Sequence, residues 1–244
     1  MIQDIHAISA IQRYPIGMKL TVDERTFAYC KAYAALIHPC TYRLAVSADQ
    51  ILAINDLLSV GTAAVGSKTI TVAVASFQGG VVAANELVGG FIEVWPVAGG
   101  GFMWRRIKAN TAVSGGNITI TVDKAFNVVA GPSSQVSIHP SVYRAVRMAG
   151  TLAGYESAVC LPTVPVTSGY YFWGQVRGKA FVAPTGTWPG GASAFRDVYF
   201  HSDGCINSFS NEIGAVAGNA SPQRVGFALG AGNYGTAEIM LQLD

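Results

Sequence analysis

Charge is what this sequence has least of. Only 12% of its 244 residues are Asp, Glu, Lys or Arg, against roughly 25% in an ordinary soluble domain. With 14 acidic and 16 basic residues it cannot lace long helices with ion pairs, which excludes a coiled coil. Half of the residues are hydrophobic, which excludes a disordered chain. A net charge of +2 offers no strong basic field for nucleic acid. Unbroken apolar runs are missing too. The longest charge-free stretch, Ser157 to Val176, is interrupted by Pro162, Pro165, Gly169 and Gly174, so no membrane-spanning helix is expected. The opening MIQDIHAISAIQRYPIG lacks a basic stretch followed by an apolar one, and no signal peptide is expected.

Cysteine is sparse and scattered: Cys30, Cys40, Cys160 and Cys205. Without a secretion signal these read as reduced, buried thiols of a protein made in a cytoplasm. The sequons at Asn117 and Asn219 then carry no glycan. A chain with so little charge must hide apolar surface. With the membrane excluded, other protein chains are the expected cover, in a homo-oligomer, most simply a trimer.

What is abundant is strand pattern. Lys68 to Ala75 and Asn117 to Asp123 alternate apolar and polar residues at period two, and both contain TITV, at Thr69 and Thr119. Phe91 to Val97 and Phe102 to Lys108 flank Gly99-Gly100-Gly101 as a hairpin would, with Pro96 expected at a strand end. Further strands are expected over Tyr170 to Val176, Lys179 to Ala183, Asp197 to Phe200, Cys205 to Phe209, Val225 to Leu229 and Thr236 to Leu243. Phe27 to Ile37 reads as a strand running into an irregular segment. One short helix is expected over Asp49 to Leu58, from capping-box spacing at Ser47-Ala48-Asp49-Gln50 and apolar residues Ile51, Ile54, Leu57 and Leu58. The fold class is therefore all-β, with β-sandwich or β-barrel domains. The expected division is an extended N-terminal arm over 1–25, a central β domain over 26–160 and a C-terminal β-barrel domain over 161–244.

Motifs of catalysis fail one by one. Gly61 to Thr69 approaches a phosphate loop, but Ser67 intrudes and a strand follows where a helix is needed. Gly230-Ala231-Gly232-Asn233-Tyr234-Gly235 matches GxGxxG, yet only one strand follows, so a hairpin turn is the better reading. His38-Pro39-Cys40 and His201-Ser202-Asp203-Gly204-Cys205 lack the paired-ligand spacing of a zinc ribbon. His201, Ser202 and Asp203 are adjacent, whereas triad members converge from separated positions, and Ser-Asp-Gly suits a turn. No catalytic residue, metal ligand or cofactor is expected, and the chain is read as no enzyme. Arg105-Arg106 beside Trp104 is too small a basic spot for nucleic acid.

Apolar and aromatic residues supply the candidate interface instead. Ile5 and Ile8 belong to a series spaced by three in the arm, and Tyr14 follows; these are the expected anchors on a neighbouring subunit. Tyr171 and Trp173, from Tyr170-Tyr171-Phe172-Trp173, and the more distant Trp188 complete the set. Strand alternation would put Tyr170 and Phe172 on one face and Tyr171 and Trp173 on the other.

Several segments together resemble virion structural proteins of tailed bacteriophages: Asn85-Glu86-Leu87-Val88-Gly89-Gly90-Phe91-Ile92, Arg106-Ile107-Lys108-Ala109-Asn110-Thr111-Ala112, Thr119 to Val122, and His139 to Tyr143. Tyr14 to Met18 before Thr26 to Ala32, Val166 to Gln175, and Val225-Gly226-Phe227-Ala228-Leu229 are similar to the same group. The resemblance covers most of the chain in order. It implies a capsid decoration or cement protein that binds the major capsid protein on the virion surface, commonly as a trimer, with no catalytic residues. Cys30 and the long aromatic run depart from the pattern. A tail or fibre subunit, or a carbohydrate-binding β module, are the alternatives. A sugar binder would expose Trp173 or Trp188, and a cement protein would bury them.

Overall fold

In a computed structural model of the chain, residues 4–36, 43–47, 54–73, 82–97, 101–149, 157–185, 196–208, 222–231 and 237–243 are described. Among them every regular element is a strand. The first three are β1 (Lys19–Val22), β2 (Arg25–Lys31) and β3 (Ala45–Ser47). Then come β4 (Ile54–Ser59), β5 (Thr69–Ala73), β6 (Phe91–Trp95), β7 (Met103–Asn110), β8 (Asn117–Val122) and β9 (Gln135–His139). The last seven are β10 (Val146–Met148), β11 (Ala158–Pro162), β12 (Tyr171–Val182), β13 (Asp197–Phe200), β14 (Ile206–Asn207), β15 (Arg224–Ala231) and β16 (Ala237–Gln242). The all-β fold class is thus as the periodicity implies.

The chain divides into two compact units, one of Met1–Gln50 with Val142–Asp244 and one of Ile51–Ser141. This corrects the expected boundaries near 25 and 160. The sheet of the first unit joins β2 to β12, residue 31 opposite residue 171, a pairing across the whole second unit that local composition does not signal. Pro162 ends β11, and Val166 makes an isolated bridge to Leu36, so the proline-rich stretch stays paired within the first unit and is not a linker.

In the second unit six antiparallel strands close into a barrel, in the order β4-β5-β8-β7-β6-β9. The barrel is therefore central in the sequence, where a C-terminal one was expected. Period-two alternation sends Ile70 and Val72, Ile92 and Val94, Ile118, Ile120 and Val122, and Val136 and Ile138 into its core. The two TITV segments are direct neighbours: Ile70 lies opposite Ile120, and Thr71 opposite Thr119.

The expected helix over Asp49 to Leu58 is overturned where it can be read, since Ile54–Ser59 is β4; residues 49–53 lie outside the described residues. Its spacing of three has a strand explanation. Ile54 pairs with Ile138 and Leu57 with Val136, so a bulge takes up one extra residue. Ladders to β5 and β9 on both sides satisfy the backbone and override the helical pattern.

In the first unit the sheet runs β10-β3-β11-β12-β16-β15-β13-β14, with β2 also on β12 and β1 on β2. Ala237, Ile239 and Leu241 of β16 are buried on one face, as expected. Gly174 on β12 is set by a close approach: a Cβ there would lie 2.6 Å from the Cys160 sulfur. Residues 4–25 do not form a free arm. Lys19–Val22 pairs with β2, and Ser9 and Tyr171 exchange two backbone hydrogen bonds of 3.0 and 2.8 Å.

Candidate functional site

Four of the six interface residues expected from sequence, Ile5, Tyr14, Tyr171 and Trp173, converge within one chain. β2 supplies Phe27 and Tyr29, β12 supplies Tyr171 and Trp173, and the N-terminal segment lays Ile5 and Tyr14 over them. Trp173 is only 2% exposed. Tyr29 is central: its ring stands edge-on to Tyr14 at 5.2 Å, 5.0 Å from Trp173, and stacked on Tyr171 at 5.9 Å. Offset and edge-on contacts of this kind add to the area buried. The Tyr29 hydroxyl accepts the Arg13 N–H at 3.1 Å. Burial pushes its phenol above the ordinary value, and the Arg13 hydrogen bond pulls part of the way back. On the opposite face of β12, Phe172 enters a separate core with Cys30 and Cys160, and Tyr170 packs against it. The alternation was read correctly, and both faces are covered.

Ile5 is buried and Tyr14 half-buried within their own subunit, on a seat of aromatic rings supplied by β2 and β12. Ile8 alone of the arm's expected anchors points outward, joined by Ile11, 76% exposed, and Met18. Trp188 lies outside the described residues.

The HSDGC segment is a turn between paired β13 and β14, as expected. Asp203 organises it, accepting the Cys205 N–H at 2.9 Å and lying 2.7 Å from His201 Nδ1. Burial works to raise the Asp203 pKa, but the bonds from Cys205 and His201 outweigh it and hold the carboxyl below its usual range. Burial, then the Asp203 charge, push the Cys205 thiol up to about 11, so it stays protonated and unreactive at neutral pH. Cys30 and Cys160 are likewise free and buried, their sulfurs 4.0 Å apart. Hydrogen bonding to Cys30, with burial, raises the Cys160 thiol well above its ordinary value. Among the described residues no group of three His, Cys, Asp or Glu could hold a metal, and no helix is long and apolar enough to cross a membrane. His38-Pro39-Cys40 lies outside the described residues.

The motifs of the phage resemblance interlock. Asn110, nearly buried, accepts the Leu87 N–H on Oδ1 at 2.9 Å and donates to the Ala83 and Thr111 carbonyls at 2.9 and 2.8 Å. The Asn85 N–H donates to the Asn110 carbonyl, and Ile107 and Gly90 are joined in the same way. Gly90 must lack a side chain, since a Cβ would meet the His139 carbonyl at 2.5 Å. These residues seat Leu87 in the barrel core.

A second aromatic surface escaped the sequence reading. On the outside of the barrel, Phe91 faces Arg106 on β7 and His139 on β9. One rung along, Glu93 faces Trp104 and Ser137. Trp95 comes next, its ring stacked on Phe102 at 5.2 Å. Trp104 stacks on His139 at 5.4 Å with the planes 8° apart. The signal was present: Phe91, Glu93 and Trp95 share the parity opposite to core residues Ile92 and Val94.

No protein-family model, curated protein or solved structure matches the chain.

Proposed function

We propose that this chain is a virion structural protein, a decoration or cement subunit that binds the major capsid protein on an assembled tailed-phage head. It acts as a homotrimer made in the bacterial cytoplasm and has no catalytic or cofactor role. The observation that carries this reading is the N-terminal segment. Ile5 and Tyr14 fasten it to the aromatic seat, and Ile8, Ile11 and Met18 are left exposed. A chain that fastens such a segment to its own core and leaves Ile8, Ile11 and Met18 bare is suited to burial against a lattice of other subunits. Binding only the assembled lattice stabilises it by mass action. Burial of Trp173 also favours this reading over a sugar platform at that residue.

The test is electron microscopy of particles with and without the protein, and with an Ile8→Ser, Ile11→Ser, Met18→Ser variant. Density on the head that the variant fails to supply supports the reading. Density confined to the tail favours a tail or fibre subunit, and wild-type occupancy by the variant removes the N-terminal segment from attachment.

A further inference from the structure

We propose that the outer face of β6, β7 and β9 binds a neutral oligosaccharide, stacking its sugar rings on Trp95 and Trp104. The proposal stands independently of the virion reading.

Strand geometry sets the size of this face. Three outward rungs, about 7 Å apart along strands about 4.8 Å apart, make a platform about 14 Å by 10 Å, the footprint of a di- or trisaccharide. Large rings and hydrogen-bonding groups alternate on it. Trp104 and Trp95 are 47% and 49% exposed, and Glu93, Ser137 and Arg106 lie between and beside them in register. A pyranose has the matching character, with C–H groups on its faces and hydroxyls at its rim. Its weakly positive C–H groups meet the negative face of an indole, and the hydroxyls find the carboxylate, guanidinium and hydroxyl groups. The rings are held before any ligand arrives. His139 backs Trp104, and Phe102 backs Trp95. Glu93 in turn lies 3.6 Å from His139 Nε2. Prior ordering of this kind lowers the entropy lost on binding.

Size and charge argue against other occupants. A stable copy-to-copy contact takes roughly 800 Å² from each partner, several times this platform. Single-stranded nucleic acid also stacks on aromatic rings, but along a positive groove, and here a carboxylate occupies the centre.

The full chain is titrated with maltotriose, cellotriose and tri-N-acetylchitotriose, following the indole N–H signals by NMR. Saturable shifts at Trp95 and Trp104, with buried Trp173 unmoved, are expected for at least one trisaccharide. Trp104→Ala and Trp95→Ala should each weaken binding about tenfold or more, and Glu93→Gln should weaken it less. If an alanine variant loses its β-type circular dichroism, Trp104→Phe carries the test, with intermediate affinity expected. Three results overturn the proposal: no indole shift with any of the three trisaccharides at millimolar concentration, shifts with oligothymidylate in their place, or a sedimenting dimer that Trp104→Ala abolishes.

Discussion

The Asn110 side chain accepts the backbone N–H of Leu87 at 2.9 Å, locking the turn after Ala83 onto the end of β7. Its amide group also holds the Ala83 and Thr111 carbonyls. Asn110→Ala would strand these groups without partners beneath the surface. The expected loss is on the order of 3 kcal/mol, read by urea unfolding. Asn110→Asp keeps the acceptor for Leu87 but turns a carboxylate oxygen onto the Ala83 and Thr111 carbonyls, and should cost at least as much as alanine at neutral pH. A loss within experimental error for the alanine variant would mean that water replaces the side chain.

Thr71 and Thr119 face each other across β5 and β8 with hydroxyl oxygens 3.1 Å apart. Both are half-buried, so each valine replacement removes one partner of a cross-strand pair. A double-mutant cycle with Thr71→Val and Thr119→Val should give a coupling of about 0.5 kcal/mol. Additive effects would show that each hydroxyl is satisfied by solvent.

Cys205 provides the pH prediction. Its thiol is raised from an ordinary value of 9.0 to about 11 in the folded protein. The folded state therefore holds this proton more tightly than the unfolded chain. The resulting stability is fully present below pH 9 and is lost as pH rises through about 11. At pH 8, iodoacetamide should modify Cys205 about 100-fold more slowly than a short peptide of the same sequence, measured by peptide-resolved mass spectrometry. Equal rates would show that the thiol ionises freely.

Ile5 packs with Phe27, Tyr29 and Trp173 in the first unit. Ile5→Ala should cost about 2–4 kcal/mol and lower the melting temperature of that unit. Deleting residues 2–13 should uncover Trp173 and shift tryptophan emission to the red. An unchanged melt and spectrum would mean that the segment is dispensable to the fold and free to reach elsewhere.

Much of this was legible locally. Strand identity, the turn at HSDGC, the absence of a phosphate loop before β5 and the inward faces of β8 and β16 all follow from period-two alternation and turn chemistry within about ten residues. Residues such as Ile118, Ile120 and Val122 show their destination because a pleated strand sends alternate side chains to opposite sides. The candidate site was half legible. Tyr171 and Trp173 were recognised as one side of an aromatic strand, but the partner that covers them was not.

The sequence by itself determined the all-β class, the positions of most strands and the demand to bury apolar surface, since these depend on side-chain chemistry and short-range spacing. Only the tertiary structure decided which strands pair, and that choice reversed several expectations. It made β4 a strand with a bulge, because ladders on both sides outweigh a helical spacing of three. It joined β2 to β12, which the second unit separates in sequence, and gave Ile5 and Tyr14 a seat within their own chain. It also left Trp95 and Trp104 on the outside of a closed barrel, where closure uses up one face of every strand and leaves the other to solvent or a ligand.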